Sequence, residues 1–397
     1  MLTKRFSPQC SSTGGCTRVG AVQGSPDNNK NALFLINHAG KAGTERYVCA
    51  LVEGALRYGY TPYFAYNESG LLSEQVGALG VKSFQVGMKS PCDLGAVRRI
   101  RDICKECSIS VVHTNYLREN YIALLTKRLF IKSLRVVYTN HFVTENGSLV
   151  KAANRVMTPG NHRIISVCGI GARKLVENGN ARDRVTVIHN GVDPAEWDPG
   201  AVGNGYAAAR REFRGSYGIA DDETVFLCAS RFAHDKGHQF YVDGITRFFE
   251  RGRNARFVLA GDGPLLDGIR GRAAGLEREK KVIFTGFVKD IKPLFYAADA
   301  YVNPSEHEAL SFLILEALAS GLPVIATDMG GNSDIVNEQN GCGILINYGD
   351  VDMLCAALDR LYEDTSYRQG LKQKAIAVIK DKFSIEEMLN KTFRAFD

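Results

Sequence analysis

Residues 301–336, YVNPSEHEALSFLILEALASGLPVIATDMGGNSDIV, decide how this 397-residue chain is read. Tyr301 and Val302 close a strand that Asn303-Pro304-Ser305 breaks. Ser311 stands where a helix would be capped, its hydroxyl able to accept from the free N–H groups two or three residues on. The run 312–320 is apolar except for Glu316, as in a helix packed on a buried sheet, and Gly321 and Pro323 stop it. Residues 323–326 have the composition of a central parallel strand. Two glutamates differ in setting. Glu308 precedes the cap, in the loop at the C-terminal edge of the sheet, where open α/β folds bind ligands. Glu316 lies in the second helical turn on an apolar surface, where a carboxylate is costly to bury unless donors satisfy it. A ribose diol would do so, beside a helix N-terminus fit for a phosphate. A surface glutamate snorkelling to solvent is the plainer alternative.

Upstream, the same order of strand, loop and helix recurs. A strand at 32–36 runs into Asn37-His-Ala-Gly-Lys-Ala-Gly-Thr44 and a helix beginning near Glu45, forming an anion or sugar pocket that includes Gly43. This loop does not fit the G-x-G-x-x-G dinucleotide fingerprint. Strands at 63–66, 83–86, 109–113, 135–139, 164–167 and 185–188, with helices at 71–79 and 94–107, predict a parallel, doubly wound sheet. His113 and His141 fall at strand ends, and by residue type alone each is more simply a structural histidine. After the Asn190-Gly191 turn, Pro194, Pro199 and Gly200 prevent a helix from continuing, and residues 194–221 read as a linker with one helix.

A second domain opens with a strand at 224–230 and the loop Arg231-Phe-Ala-His-Asp-Lys236-Gly237. An Arg and a Lys five apart before a helix start can clamp two phosphates, the Arg bidentately and the Lys as a point charge. A surface charge pair is the alternative. Gly261-Asp262-Gly263-Pro264 and Thr285-Gly-Phe287 follow strands at 257–260 and 282–284, and either could be a plain loop turn. Helices at 353–362, 367–380 and 385–396 close the chain.

Glu308 and Glu316 in E-x7-E spacing, then Ala319-Ser-Gly-Leu-Pro-Val-Ile-Ala-Thr-Asp328 and Gly330-Gly331, strongly resemble the donor-site signature of the retaining GT-B glycosyltransferases of group 1 (GT4-like). Arg231…Lys236-Gly237 resembles the family's R-x4-K-G, Thr139-Asn-His141 its T-x-H, and Ala42-Gly-Thr-Glu-Arg46 its Gly-Gly-x-Glu loop. Asn190-Gly-Val-Asp193 resembles the segment where the family crosses between domains. The chain departs at Ala309 and Ser311, often glycines in the family, and at Ser333-Asp334, often Pro-Glu.

The resemblance spans roughly 32–397 and implies an α/β GT-B fold, two Rossmann-like doubly wound parallel-sheet domains facing a cleft. It implies an acceptor domain at 31–193, the linker at 194–221, a nucleotide-sugar donor domain at 222–380 and a terminal helix at 381–397 returning to the first domain. The implied catalytic residues are His141, Arg231, Lys236 and Glu308. Arg231 and Lys236 would neutralise the diphosphate with the amides of Ser311, Phe312 and Leu313. Glu308 would hold the sugar, His141 would face it, and Glu316 would take the ribose, while Gly43 and Gly263 line the donor pocket. The activity implied is transfer from a nucleotide sugar, a UDP-sugar ahead of a GDP-sugar, to a glycan or lipid-linked acceptor in bacterial envelope polysaccharide synthesis. The resemblance implies chemistry in which the chain's own cations stand in for a divalent ion, so no metal and no separate cofactor are expected. A nucleotide-sugar epimerase and a non-catalytic sugar-nucleotide binding protein remain as alternatives.

Composition sets the outer bounds. With 45% hydrophobic and 23% charged residues the chain is an ordinary globular one, long enough for two domains. No apolar run nears the ~20 residues of a membrane span. The start, MLTKRFSPQCSSTGG, lacks the apolar core of a secretory signal, and residues 1–30 read as a disordered tail. A cytoplasmic setting with reduced thiols is therefore expected for the ten cysteines, and Cys104-x-x-Cys107 alone is a poor metal site. The net charge of +6 is uneven: eleven Lys/Arg face four acids between Lys82 and Arg135. Residues 121–134 mix Ile122, Leu124, Leu125 and Leu129 with cations, as would a helix lying on an anionic membrane at the inner face of the plasma membrane. An amphipathic helix with a solvated basic face is the alternative. No nucleic-acid reader motif appears.

Overall fold

A computed structural model describes residues 30–40 and 42–397. The expected tail lies outside the described residues, apart from Lys30, which opens the first strand. The first sheet holds β1 (Lys30–His38), β2 (Tyr60–Glu68), β3 (Ser83–Gln85), β4 (Ile109–Thr114), β5 (Arg135–Asn140), β6 (Arg163–Ser166) and β7 (Val185–Val187). Their order is β3-β2-β1-β4-β5-β6-β7, with every pairing parallel. The second sheet holds β8 (Val225–Ala229), β9 (Arg256–Ala260), β10 (Val282–Gly286), β11 (Ala300–Asn303), β12 (Val324–Thr327) and β13 (Gly343–Ile346). It runs β10-β9-β8-β11-β12-β13, again all parallel. Helices cover both faces of such sheets, which is why Ala32–Ile36 and Val225–Ala229 are unbroken buried apolar runs.

In each sheet the strand order reverses beside the first strand, between β1 and β4 and between β8 and β11. Such a reversal opens a crevice at the carboxyl ends of the strands. The two C-terminal edges meet: a Cβ on Gly43, at the start of helix Gly43–Gly54, would lie 3.4 Å from the Phe312 ring on helix Phe312–Ala319. Beside them, Asp334 of the second domain accepts from the Gly169 amide at 2.6 Å and pairs with His189 Nε2 at 3.1 Å.

The chain crosses between the domains twice, side by side. Val192 and Ser384 form a parallel bridge, with Val192 N donating to Phe383 O at 3.0 Å and Ile385 N to Val192 O at 2.9 Å. Gly191 is required there, because a Cβ would sit 2.3 Å from the Ser384 carbonyl oxygen. Helix Ile385–Arg394 then packs Leu389, Phe393 and, beyond it, Phe396 into the first domain's core with Phe34 and Tyr60.

The linker holds three helices rather than one: Pro194–Trp197, Pro199–Val202 and Asn204–Tyr217. Pro194 and Pro199, taken from sequence as breakers, instead begin helices, each after a capping Asp (Asp193, Asp198) whose carboxylate accepts from the second residue on. The helix expected at 121–134 lies at Leu117–Leu129, and its Ile122 and Leu124 are core, not surface. Helix Ser148–Met157 and β13 had no sequence expectation. Cys104 and Cys107 are buried free thiols, burial pushing Cys104 up to about 12.

Arg214, on the last linker helix, is 1% exposed. It donates to the carbonyls of Ala220, Asp221, Glu223 and Ala297 and pairs with Asp299 at 2.8 Å. Breaking a buried pair of this kind strands its partners, so Arg214→Met should cost about 3–5 kcal/mol. Urea denaturation followed by fluorescence measures this, and a loss below about 1 kcal/mol would count against the linker being anchored there.

Candidate active site

The loop after β8 is set between two others. On one side Phe232 N donates to Asp262 O (2.8 Å) and Leu265 N to Phe232 O (3.1 Å). A Cβ on Gly263, whose φ is +151°, would fall 2.5 Å from the Phe232 carbonyl oxygen, so this glycine's place is explained by packing. On the other side Glu306 N donates to Asp235 O at 2.9 Å. Gly237, at φ +67°, closes the loop under the Pro304 carbonyl, where a Cβ would lie 1.9 Å away. The 230–237, 261–265 and 304–308 loops therefore form one ridge at the C-terminal edge of the second sheet.

That ridge brings together the predicted charges. Lys236 Nζ lies 2.9 Å from Glu308 Oε1, which also accepts from Ser305 Oγ at 3.0 Å. Both bonds fall on the same oxygen, leaving Oε2 for another donor. Arg231 is exposed and has no ion-pair partner among the described residues. Gly330-Gly331 packs against the Glu308–Ala309 backbone, with Gly331 N donating to Ala309 O at 2.7 Å.

Ser311 does occupy the N-cap of helix Phe312–Ala319, but its hydroxyl makes no capping bond, contrary to the sequence expectation. The helix is held by burial, and its leading amides are not engaged by the cap side chain. Phe312 and Leu313 are half-buried, and Glu316 is inside, its side chain 3% exposed. Burial raises the Glu316 carboxyl above its usual range, and the Arg46 guanidinium pulls it back. Arg46 comes from the first turn of helix Gly43–Gly54 in the other domain, pairs with Glu316 and stacks 4.9 Å from the centroid of the Phe312 ring.

Around His141 the first domain's edge presents rings and amides. His141, at the end of β5, meets Asn115 Oδ1 at 3.1 Å and the edge of Tyr47 at 4.9 Å between centroids. Burial lowers its pKa to about 3, so the ring is neutral near pH 7. His113 is a core residue bonded to Thr139 Oγ1 at 2.9 Å, and burial likewise lowers it to about 3. Sequence reasoning missed Arg46, the Asp334–His189 contact and Glu119. The last is a fully buried acid in the first turn of helix Leu117–Leu129, held at about 7 by burial. Flanked by Arg118 and Asn120, it carries no local sign of burial.

Two facing parallel-sheet domains with the site between them define the GT-B architecture. Residues 42–196 match the family model of Glycosyltransferase Family 4, and residues 209–378 that of Glycosyl transferases group 1. The chain belongs to this glycosyltransferase family, group 1 of GT4 type. It is 31% identical over 216 residues to the uncharacterized glycosyltransferase MJ1607 of Methanocaldococcus jannaschii, covering 54% of each chain. It is 26% identical to the alpha-monoglucosyldiacylglycerol synthase of Streptococcus pneumoniae, over 65% of this chain and 55% of that protein. The chain thus spans about half the length of these curated relatives. The structure of Anabaena Alr3699/HepE, solved in complex with UDP, superposes with a TM-score of 0.79 at 18% identity, over 92% of this chain and 98% of that one.

The neutral histidines carry a pH signature. With folded pKa values near 3 against an unfolded 6.5, the unfolded chain binds protons that the fold refuses. Their stabilising effect is complete above pH 6.5 and falls as the pH drops from there toward 3, by about 2 kcal/mol for each ring at pH 5. Denaturation at pH 7.5 and pH 5 should show a smaller acid loss in His141→Gln than in the parent. An equal loss would mean that the ring is charged in the fold.

Proposed function

We propose that this protein is a retaining, metal-independent glycosyltransferase. It moves a sugar from a nucleotide-sugar donor, a UDP-sugar in preference to a GDP-sugar, to a glycan or lipid-linked acceptor in envelope polysaccharide or glycolipid synthesis. One observation carries the reading. An exposed Arg231 with no ion-pair partner among the described residues, the Lys236–Glu308 pair and the buried Glu316 fall on the loops and helix at the edge of the second sheet that faces the other domain. The UDP held by the structurally similar HepE, and the diacylglycerol named for the pneumococcal relative, favour this donor and a lipid-borne acceptor.

Each side chain then has a task. Arg231, Lys236 and the leading amides of helix Phe312–Ala319 take the diphosphate charge that builds as the glycosidic bond breaks, in the place a divalent cation would fill. Fixed donors of this kind contribute several kcal/mol because they need no reorganisation. Glu308, oriented by Lys236 and Ser305 through one oxygen, offers the other to a sugar hydroxyl. It is assigned to positioning rather than to covalent attack. Glu316 takes the ribose, and neutral His141 faces the transferred sugar as a hydrogen-bonding group.

Contact with an anionic membrane is part of the reading, through the basic C-terminal end of the segment its sequence suggested and the neighbouring helix Ser148–Met157. The apolar side chains Ile122 and Leu124 point inward, whereas Leu149 and Val156 of helix Ser148–Met157 are 87% and 67% exposed. Next to Val156, Lys127, Arg128 and Lys132 line a cavity of about 470 Å3 with Leu124, Met157 and Gly160. Flotation with anionic and with neutral vesicles tests this. Arg128→Glu combined with Leu149→Glu should weaken anionic-vesicle binding at least about tenfold, and equal flotation of parent and variant would refute it.

Turnover of a panel of nucleotide sugars, with and without EDTA and acceptor, tests the chemistry. Arg231→Ala should lose more than ~100-fold in turnover while keeping its melting temperature. A nearly active variant would remove the phosphate clamp from the argument. Sugar release with no acceptor would point to an epimerase, and no turnover of any donor to a binding protein.

A further inference from the structure

Glu316 is the most buried of the predicted site charges, and its one ion-pair partner among the described residues is supplied from across the cleft. Arg46 is not needed to hold its own helix. It lies on the exposed side of helix Gly43–Gly54, with 43% of its side chain exposed, while Thr44, Glu45, Tyr47 and Val48 around it are buried. Its guanidinium rests over the ring of Phe312, the first residue of the helix that begins four residues after Glu308 in the chain. A cation from the first domain therefore sits at the carboxylate that would read a nucleotide's ribose, one helical turn from the helix start assigned to its phosphates.

We propose that Arg46 is a donor-binding residue of the first domain, parked on Glu316 until the ribose takes over that carboxylate and then turned onto the diphosphate. This inference rests on the donor-site reading above. When the ribose diol arrives, its two hydroxyls replace the guanidinium as donors to Glu316. The freed Arg46 keeps its stacking on Phe312 and needs only to rotate toward the helix start, where a planar fork of donors suits phosphate oxygens. Arg46 then adds a third cation to Arg231 and Lys236, and supplies it from the opposite domain. Closure of the cleft and neutralisation of the leaving group become one event. The exchange keeps the buried carboxylate paired at each stage, since an unpaired one is costly.

The test compares ligands with and without phosphates on the full-length chain. Calorimetry with UDP, and saturation-transfer NMR with uridine, are run on the parent, Arg46→Ala and Arg46→Lys. Arg46→Gln serves if the alanine variant melts early. The expected result is at least a tenfold loss of UDP affinity in Arg46→Ala, partly recovered in Arg46→Lys, with uridine binding unchanged or tighter because Glu316 has been vacated. Unchanged UDP affinity in both Arg46→Ala and Arg46→Gln overturns the proposal. An equal loss for UDP and uridine also overturns it, because Arg46 would then only orient Glu316. If the parent binds GDP or ADP rather than UDP, the same comparison is made with that nucleotide and its nucleoside, with the same outcomes deciding. A parent that binds no nucleoside diphosphate removes the donor-site reading itself and the role of Arg46 with it.

Discussion

A carboxylate inside an apolar helix must be neutralised by something, and Glu316 sets that demand at the centre of the cleft. Its helix offers no cation of its own: Phe312–Ala319 is apolar on every other position. The answer comes from helix Gly43–Gly54, about 270 residues earlier in the chain, through Arg46. The demand ties the two domains together at the point where a ligand would enter. It also explains why the two helix starts approach so closely that a Cβ on Gly43 would touch the Phe312 ring. A Cβ at Gly43 would meet that ring in ordinary contact, so the approach of the two helices does not by itself require glycine there.

The two walls of the cleft differ in electrical character. The second domain presents an exposed Arg231, without an ion-pair partner among the described residues, and a Lys236 whose carboxylate partner has an oxygen to spare. The first presents rings and amides: His141, Tyr47 and Asn115, uncharged near neutral pH. An anionic group is drawn to one wall, while a polyhydroxylated one can hydrogen-bond to the other without meeting a fixed charge. Arg46 is the exception, a cation on the neutral wall that leans across to the other.

What the sequence made legible follows from distance along the chain. Alternating apolar strands and helices announced both parallel sheets, because burial on both faces leaves continuous apolar runs such as Ala32–Ile36. The loop 231–237 and the glutamate pair were readable because each is charged among small or apolar neighbours within a few residues. The hydroxyl of Ser311 misled, since a residue type suited to capping says nothing about whether the hydroxyl is used. Pro194 and Pro199 misled similarly: proline stops a helix from its interior but opens one from its first turn. In the basic segment 121–134 composition did not reveal which apolar residues turn inward: Ile122 and Leu124 are buried, whereas Leu129 and Phe130 are exposed. Arg46–Glu316 and His189–Asp334 lay beyond sequence reasoning altogether, for no periodicity connects residues 270 or 145 positions apart.

Arg214 gives the linker a mechanical meaning. With its guanidinium locked to Asp299 and four carbonyls, the segment ending in helix Asn204–Tyr217 is bolted to the second lobe. The freely turning part of the connection shrinks to the two strands of chain at Val192 and Ser384, laced by Val192 N to Phe383 O and Ile385 N to Val192 O. Two adjacent crossings make a pivot line rather than a pivot point. The lobes can swing open about that line, but a screw-like twist would shear both hydrogen bonds. Opening is thereby channelled into a single jaw-like degree of freedom, with its fulcrum at the base of the cleft and its longest lever arm at the rim.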